Sequence, residues 1–428
     1  MWLQRSVRRL SSLRVPSGAV CGEPADVPRI LPLLHELSDG AKRGTPRWVE
    51  QSDSLGAMAP RKRSASWLEI TYPFSTDEEL RAGYMLADGE SLRAGRFLEE
   101  LDAFSADVSK RHASSEERPV TVVTAAHDGL SVFNSLSAVH DFRLRGAVFT
   151  VGSSSMEVRT DILQVEPSGE EVLLGSCYTM MVARDAGTFG KATVPPLRGG
   201  DAESAKQEAE AALRKQRRKV LRDEALSIKP PTPTEVPLLH ELHRQGVHRE
   251  AARAHTTAED PTATVVPMDA SELRALELMQ PINRNMNGFI FGGYLLRRAF
   301  EAAWLSAHKH GRRRMLFGGV DDMTFSKPVE VGKIVELTAR VAFVDPGGST
   351  LRVFVDVDHV SLSTGLREPT CEFHFVFHTP PSTLAPQVQP ITYAQTLLWL
   401  EGRRRWLATC QGAEEDALQH RAGTPSHV

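Results

Sequence analysis

The chain repeats itself, and no other feature restricts its fold so much. The hexapeptide PLLHEL occurs at Pro32–Leu37 and again at Pro237–Leu242. Downstream of each copy a glycine opens a helical stretch that closes on a histidine. The first is GRFLEELDAFSADVSKRH, from Gly95 to His112, and the second GYLLRRAFEAAWLSAHKH, from Gly293 to His310. The copies lie 205 residues apart at the hexapeptide and 198 at the glycine, so a short insertion or deletion separates the two registers. Two matches in register argue for a duplicated domain. After each helix the apolar period changes from 3.6 to 2. Strands are predicted over 120–126, 144–152, 155–165 and 171–183, and again over 315–325, 333–344, 349–361 and 371–379. Strands that follow one another directly favour an antiparallel sheet. The expected fold class is therefore α+β, with two units, 75–195 and 262–380, each a sheet wrapped around one long helix. A charged helical linker is expected over 200–260. A C-terminal extension is expected over 381–428, with a short apolar helix near Tyr393–Leu400 and a polar tail.

Composition agrees with two folded domains. The chain has 428 residues, 41% hydrophobic and 25% charged, enough for a sizeable core. A formal net charge of -3 gives no reason to expect nucleic acid as a partner. No apolar run approaches the roughly 18 residues needed to span a bilayer. Cys21, Cys177, Cys371 and Cys410 are dispersed and form no CxxC pair, which disfavours a disulfide framework or structural zinc and favours a reducing compartment. Residues 1–20 stand apart. Arg5, Arg8, Arg9 and Arg14 are their charged side chains, no acid precedes Glu23, and Trp2, Leu3, Val7, Leu10 and Leu13 can share one helical face. That is the make-up of a mitochondrial transit peptide.

The segment Pro281–Glu301, PINRNMNGFIFGGYLLRRAFE, carries the most chemistry. It turns through Asn285 and Gly288 and enters a helix at Gly292–Gly293. Free N–H groups at a helix start can bind a carbonyl oxygen that becomes negative during acyl transfer. The same glycine pair would also serve simple close packing of helix on sheet. In the first helix Leu98, Leu101, Ser105 and Val108 define an apolar stripe. Asp102 falls on it, whereas Glu99 and Glu100 fall off it. A carboxylate on a buried face is costly unless paired or functional. The equivalent position in the second helix, seven after the glycine, is Phe300, plain core. Glu301 stands four residues after Arg297, as in a surface ion pair.

These residues bring out a resemblance. N-x-x-G-x-x-x-G-G at Asn285, Gly288, Gly292 and Gly293 is similar to the helix-start motif of the hotdog acyl-CoA thioesterases. GRFLEELDAF, VGSSSMEV, MMVARD, FIFGGYLLRRAFEAAW, VDDMTFSKPVEVG and EFHFVFHT, in that order across about residues 75–400, resemble the mitochondrial acyl-CoA thioesterase nine type. The resemblance implies a tandem double hotdog with a site shared between the halves. Asn285 and the Gly292–Gly293 N–H groups come from the second half, and Asp102 comes from the first. It implies hydrolysis of acyl-CoA to fatty acid and CoA, with no cofactor or metal, in oligomers of double hotdogs. Ser153, Ser154 and Ser155 match a segment that lines the CoA groove, and they also read as a plain turn. The pseudo-equivalent second site would need the residue eight before Gly95 and the residue seven after Gly293. These are Ala87 and Phe300, so one site keeps both polar residues and the other lacks both.

The expected roles follow. The glycine backbone polarises the thioester carbonyl. Asp102 acts as general base on water or attacks to form an anhydride, and Asn285 holds the water or the carbonyl. No GxSxG elbow is present, and HELH at His240 is not the HExxH of a zinc protease. A hotdog dehydratase would want a histidine near the helix aspartate, and no such pair is evident from the sequence. A non-catalytic acyl-CoA-binding protein is the other rival, disfavoured by the intact Asn285/Asp102 pair. The basic run Arg214–Arg222 reads as a solvated helix with internal ion pairs, or as a contact for CoA phosphates. Asp321 and Asp322 read as paired strand residues or polar site candidates.

Overall fold

A computed structural model describes residues 58–86, 92–114, 120–128, 139–198, 202–253, 263–285 and 288–422. The basic N-terminal segment, the first PLLHEL copy and Ala87 lie outside these residues. The first half comprises β1 (Leu68–Tyr72), α1 (Glu78–Gly83), α2 (Ala94–Ala113), β2 (Val120–Asp128), β3 (Asp141–Val151), β4 (Ser155–Val165) and β5 (Glu171–Asp185). Then come α3 (Ala202–Asp223), α4 (Glu235–Arg253), β6 (Val265–Pro267) and α5 (Met268–Ser271). The second half has β7 (Leu273–Leu278), α6 (Gly292–Gly311), β8 (Leu316–Phe325), β9 (Ile334–Val344), β10 (Thr350–Val360) and β11 (Arg367–His378). The chain continues through β12 (Gln387–Gln389), which pairs parallel with β6, into α7 (Tyr393–Ala422).

The strand order is β1-β3-β4-β5-β2 in the first sheet and β7-β9-β10-β11-β8 in the second, and every neighbour within these two sheets is antiparallel. The two halves are thus copies in topology, each a curled sheet around its helix, a hotdog. Local pattern explains each copy. Buried and half-buried residues alternate along β3, so one face meets the helix. Phe97, Leu98, Leu101, Phe104 and Val108 are buried on α2. The ring of Phe104 lies 2.6 Å from where a β-carbon on Gly146 would be, so β3 admits the helix only with glycine there.

The duplicated histidines do duplicated work. His112 Nε2 lies 2.8 Å from the Pro195 carbonyl and His310 Nε2 2.8 Å from the Pro386 carbonyl. Each ties the end of its helix to the strand-like segment after the sheet. Burial holds both imidazoles down at about 4, so both are neutral at pH 7. A second twin was not legible in the sequence. Ser66 Oγ accepts from Val148 N–H and Ser271 Oγ from Val341 N–H, at 3.0 Å in each case.

Between the halves α2 packs against α6, and edge strand β2 lies beside edge strand β8. Each long helix is therefore covered by its own sheet and by the other helix. This corrects the expectation that Glu99 and Glu100 face away from the core, because both are buried. Glu99 receives Arg297 from the other half at 2.8 Å and Arg96 at 3.3 Å. Glu100 accepts the Tyr72 hydroxyl at 2.7 Å and the Tyr84 hydroxyl at 2.5 Å, and complete burial pushes its carboxyl up to about 7.

The linker and tail also differ from expectation. Within the helix Arg222 lies 3.6 Å from Asp223, and Arg214 and Arg218 also reach out of it. They reach Glu157 on β4, at 2.7 and 3.4 Å, and Arg214 stacks over Tyr178 at 3.7 Å. The C-terminal helix does not stop near Leu400. It runs to Ala422, and past Leu400 it is held by Trp406, which with Trp399 packs on Phe343 of β9, and by Gly402, which fits against the same side chain. Buried Arg404 on this helix donates to the Glu224, Lys229 and Pro230 carbonyls and to the Glu235 carboxylate, binding linker to tail. Among the described residues no helix is long and apolar enough to cross a membrane.

Candidate active site

Asp102 lies in the middle of α2, 3% exposed. Its two oxygens have different surroundings. Oδ1 accepts a very short hydrogen bond from Thr124 Oγ1 and lies 3.5 Å from His127 Nε2, both on β2. Oδ2 points across the domain boundary to the start of α6. It lies 2.9 Å from the position a β-carbon on Gly293 would take, and 3.8 Å from that on Gly292. The expected pairing of Asp102 with the paired glycines is therefore present, and it spans both halves.

Several local features build this contact. Strand β2 shifts register between Thr124 and Ala126, so residues three apart, Thr124 and His127, reach the same carboxylate oxygen. In a regular strand they would point to opposite faces. Helix α6 starts without a side-chain cap at Phe291 and without an acid in its first turn. Its first N–H groups are open to an acceptor, and its dipole favours negative charge there. Gly293 is required by close approach. The Phe291 ring lies 2.6 Å and Asp102 Oδ2 2.9 Å from a β-carbon placed there. Gly292 is looser, with the Phe325 ring at 3.5 Å. Phe291 and Phe325, with Met181 beside Thr124 at 3.4 Å, give the carboxylate apolar surroundings.

Asn285 braces the loop that leads into α6. Its Oδ1 accepts from Phe289 N–H at 3.2 Å, and its own N–H reaches the Phe289 carbonyl at 2.6 Å. Gly288 sits in this turn with φ +83°, a left-handed conformation that glycine adopts freely. The loop is pinned further by Ile290 N–H on Val329 O and Phe291 N–H on Asn283 O, both 2.8 Å. From the first half, Phe189 sets its ring edge-on to Phe289, centroids 6.0 Å apart.

The pseudo-equivalent crossing is occupied differently. Phe300 holds the place of Asp102, and its ring edge lies 3.2 Å from where a β-carbon on Gly95 would be. The ring packs among Phe317, Phe375 and Phe377, with centroids 4.8 to 5.9 Å away. Ion pairs surround it. Glu301 binds Arg93 of the other half at 2.8 Å and Arg298 at 2.6 Å. The expected Glu301–Arg297 pair is absent, because Arg297 is drawn across the boundary to Glu99.

Comparison with known proteins bears on this geometry. A family model described as the thioesterase superfamily matches residues 287–359. Human acyl-coenzyme A thioesterase 9, mitochondrial, is 32% identical over 357 residues, 82% of this chain and 80% of the relative. The mouse protein of the same name matches with the same figures. The chain belongs to the acyl-CoA thioesterase family. Among solved structures, an acyl-CoA hydrolase from Staphylococcus aureus is 19% identical, with a TM-score of 0.34, over 37% of this chain and 98% of its own.

For a thioesterase of this family the remaining candidates divide. Ser153–Ser155 turn between β3 and β4. The Ser154 carbonyl accepts from Ala183 N–H at 2.7 Å and the Ser153 carbonyl from Val194 N–H at 3.1 Å. The turn is stitched to β5 and the segment after it. Asp321 pairs tightly with buried Arg352, which answers a structural need. The side chain of Asp322 lies outside the described residues. His127 overturns one expectation, that no histidine stands near the helix aspartate. It was not legible because the bulge that turns it inward leaves no mark in the strand's alternation. Its side chain is wholly buried behind Oδ1, on the side away from the glycines, so it gives no access to substrate and no support for a dehydratase.

Proposed function

We propose that this thioesterase hydrolyses acyl-CoA at one composite site, where Asp102 from the first half faces the start of α6 from the second. The observation that carries the reading is the position of Asp102 Oδ2 against Gly293, while Thr124 and His127 occupy Oδ1. The acyl carbonyl accepts N–H groups at Gly292–Gly293, where the helix dipole favours the developing oxyanion. Asp102 Oδ2 takes a proton from the attacking water, or attacks the carbonyl itself to give an anhydride that water then opens. The thiolate of CoA leaves without strong acid assistance. Asn285 holds the water or the carbonyl at the mouth of the same loop. Ser153, Ser154 and Ser155 line the CoA groove.

The remaining organisation is proposed on the same footing. Units over 75–195 and 262–380, linked through 200–260 and extended over 381–428, act as one catalytic body. Double hotdogs associate into homo-oligomers. The Arg-rich, acid-poor residues 1–20 act as a transit peptide and direct the protein to the mitochondrion, and the hydrolysis takes place in its matrix. The test is thiol release by the purified protein across a series of acyl-CoA chain lengths. Turnover above the buffer rate supports the reading. Tight binding of every acyl-CoA without thiol release would replace it with acyl-CoA binding alone.

A further inference from the structure

Ser105, Thr179, His127 and Asp102 form a buried line of polar groups ending at the catalytic carboxylate. Ser105 lies one helical turn after Asp102 and is fully buried, a polar member of the apolar stripe. Its hydroxyl donates to Thr179 Oγ1 at 3.0 Å. Thr179 lies directly across from His127 in the β5–β2 register, and its Oγ1 is 2.9 Å from His127 Nδ1. His127 Nε2 then faces Asp102 Oδ1 at 3.5 Å, with no hydrogen-bond partner of its own among the described residues. Buried polar groups are rarely left in this state without a reason.

We propose that His127 is a positioning residue for thioester hydrolysis, held as the Nε2–H tautomer by the Ser105–Thr179 hydroxyl chain so that Asp102 presents Oδ2 to the thioester. The chain has a direction. Thr179 Oγ1 accepts the Ser105 proton, and Nε2 faces a carboxylate oxygen that can only accept, so Nδ1 is left with its lone pair for the Thr179 proton. The imidazole proton is then on Nε2, aimed at Oδ1. The Thr124 hydroxyl donates to Oδ1 and the Nε2–H faces the same oxygen, so both polar neighbours from β2 lie on that side of the carboxylate. Oδ2 keeps its lone pairs for the water or the carbonyl carbon. The imidazole does not touch substrate and transfers no proton.

The surroundings make the carboxylate a suitable reporter. From β2 Asp102 meets the Thr124 hydroxyl and His127, and near these β5 presents the Thr179 hydroxyl and the Met181 thioether. From the second half come the Gly292 and Gly293 backbone and the Phe325 ring near Gly292. Of the acids on its own helix, Glu99 is engaged by Arg96 and Arg297, and Glu100 by the Tyr72 and Tyr84 hydroxyls. Loss of a donor to a carboxylate disfavours its charged form, which appears as a shift of the acid limb of kcat/KM.

The inference rests on Asp102 as the catalytic carboxylate, and the test separates the two. Thiol release is followed for the wild type, His127→Asn, His127→Gln and Thr179→Val between about pH 5 and pH 9. Asparagine keeps a partner for Thr179 but falls short of Asp102. Glutamine places an amide N–H near the position of Nε2. His127→Asn is expected to lower kcat on the order of tenfold, leave KM within about twofold, and move the acid limb up by about one pH unit. Glutamine should restore most of kcat and return the limb. Thr179→Val, nearly isosteric and without the hydroxyl that fixes the tautomer, should show the same limb shift as asparagine. It reads the same question if His127→Asn does not fold. A wild-type limb in both His127→Asn and Thr179→Val overturns the proposal. So does equal loss with asparagine and glutamine, which would make the imidazole either a core filler or a proton carrier. A wild type without turnover would overturn the hydrolase reading itself.

Discussion

The two places where a long helix start meets the other half share one geometry and have opposite contents. At Gly293 the neighbour is the carboxylate of Asp102, and at Gly95 it is the ring of Phe300. Around Asp102 stand Thr124, His127 and an uncapped helix start. Around Phe300 stand three phenylalanines, with inter-half ion pairs at the rim. Duplication produced two equivalent crossings. One keeps a polar group whose burial is costly, and the other has exchanged it for apolar packing. A buried carboxylate on one crossing and a core residue on the other is the pattern expected when one site is used and its twin only holds the halves together.

Substitutions can break this comparison. The largest effect belongs to Asp102→Asn, which keeps the shape and removes the base. Turnover should fall on the order of a hundredfold or more, with the thermal unfolding midpoint nearly unchanged. Steady-state thiol release beside a melting curve decides it, and near-normal turnover would remove Asp102 from the chemistry.

Next come the paired glycines. A methyl at Gly293 collides with Asp102 Oδ2 and the Phe291 ring, whereas one at Gly292 meets ordinary contact distances. Gly293→Ala should lose roughly tenfold to a hundredfold in kcat/KM, and Gly292→Ala no more than a few-fold. Equal effects would mean that the carboxylate does not sit against Gly293 in solution.

The twin crossing answers through stability. Phe300→Ala opens a cavity among Phe317, Phe375 and Phe377 and should cost roughly 3–5 kcal/mol in chemical denaturation. Activity per folded molecule should remain. A stable but inactive variant would show that the Gly95 crossing is catalytic.

The smallest change concerns pH. Burial raises Glu100 to about 7 in the folded chain, above the ordinary carboxylate value of 4.5, so the folded state binds the extra proton. Its contribution is present at low pH and lost as pH rises through about 7, up to roughly 3 kcal/mol. Glu100→Gln should remove this decline, leaving stability flatter between those two pH values. A parallel pH dependence in variant and wild type would show that Glu100 is ionised throughout.

Much of this arrangement could be read from the sequence, and the omissions have physical causes. The helix-opening glycines and helix-closing histidines reported the duplication because each does the same backbone work in both halves. Asp102 and Phe300 were legible as alternatives at one position for the same reason. A helical wheel places Glu99 and Glu100 off the core because it assumes one buried face, and these helices have two. Thr124 and His127 escaped because a bulge, not alternation, brings them to one face. The contacts of Arg214 with Glu157 and of the C-terminal helix with Phe343 are not legible because these partners lie on distant strands. Charge in a helix says little about whether a sheet will cover it.

The central claim is a single site made from both halves, and separating them tests it most directly. A break near Pro230–Pro233 leaves Asp102 on one piece and Asn285, Gly292 and Gly293 on the other, with Arg404 bridging the break. Each piece is expressed alone and together, checked for folding by circular dichroism, and assayed for thiol release. Neither piece alone should hydrolyse acyl-CoA, and the co-expressed pair should recover turnover. Hydrolysis by the folded C-terminal piece on its own would contradict a shared site.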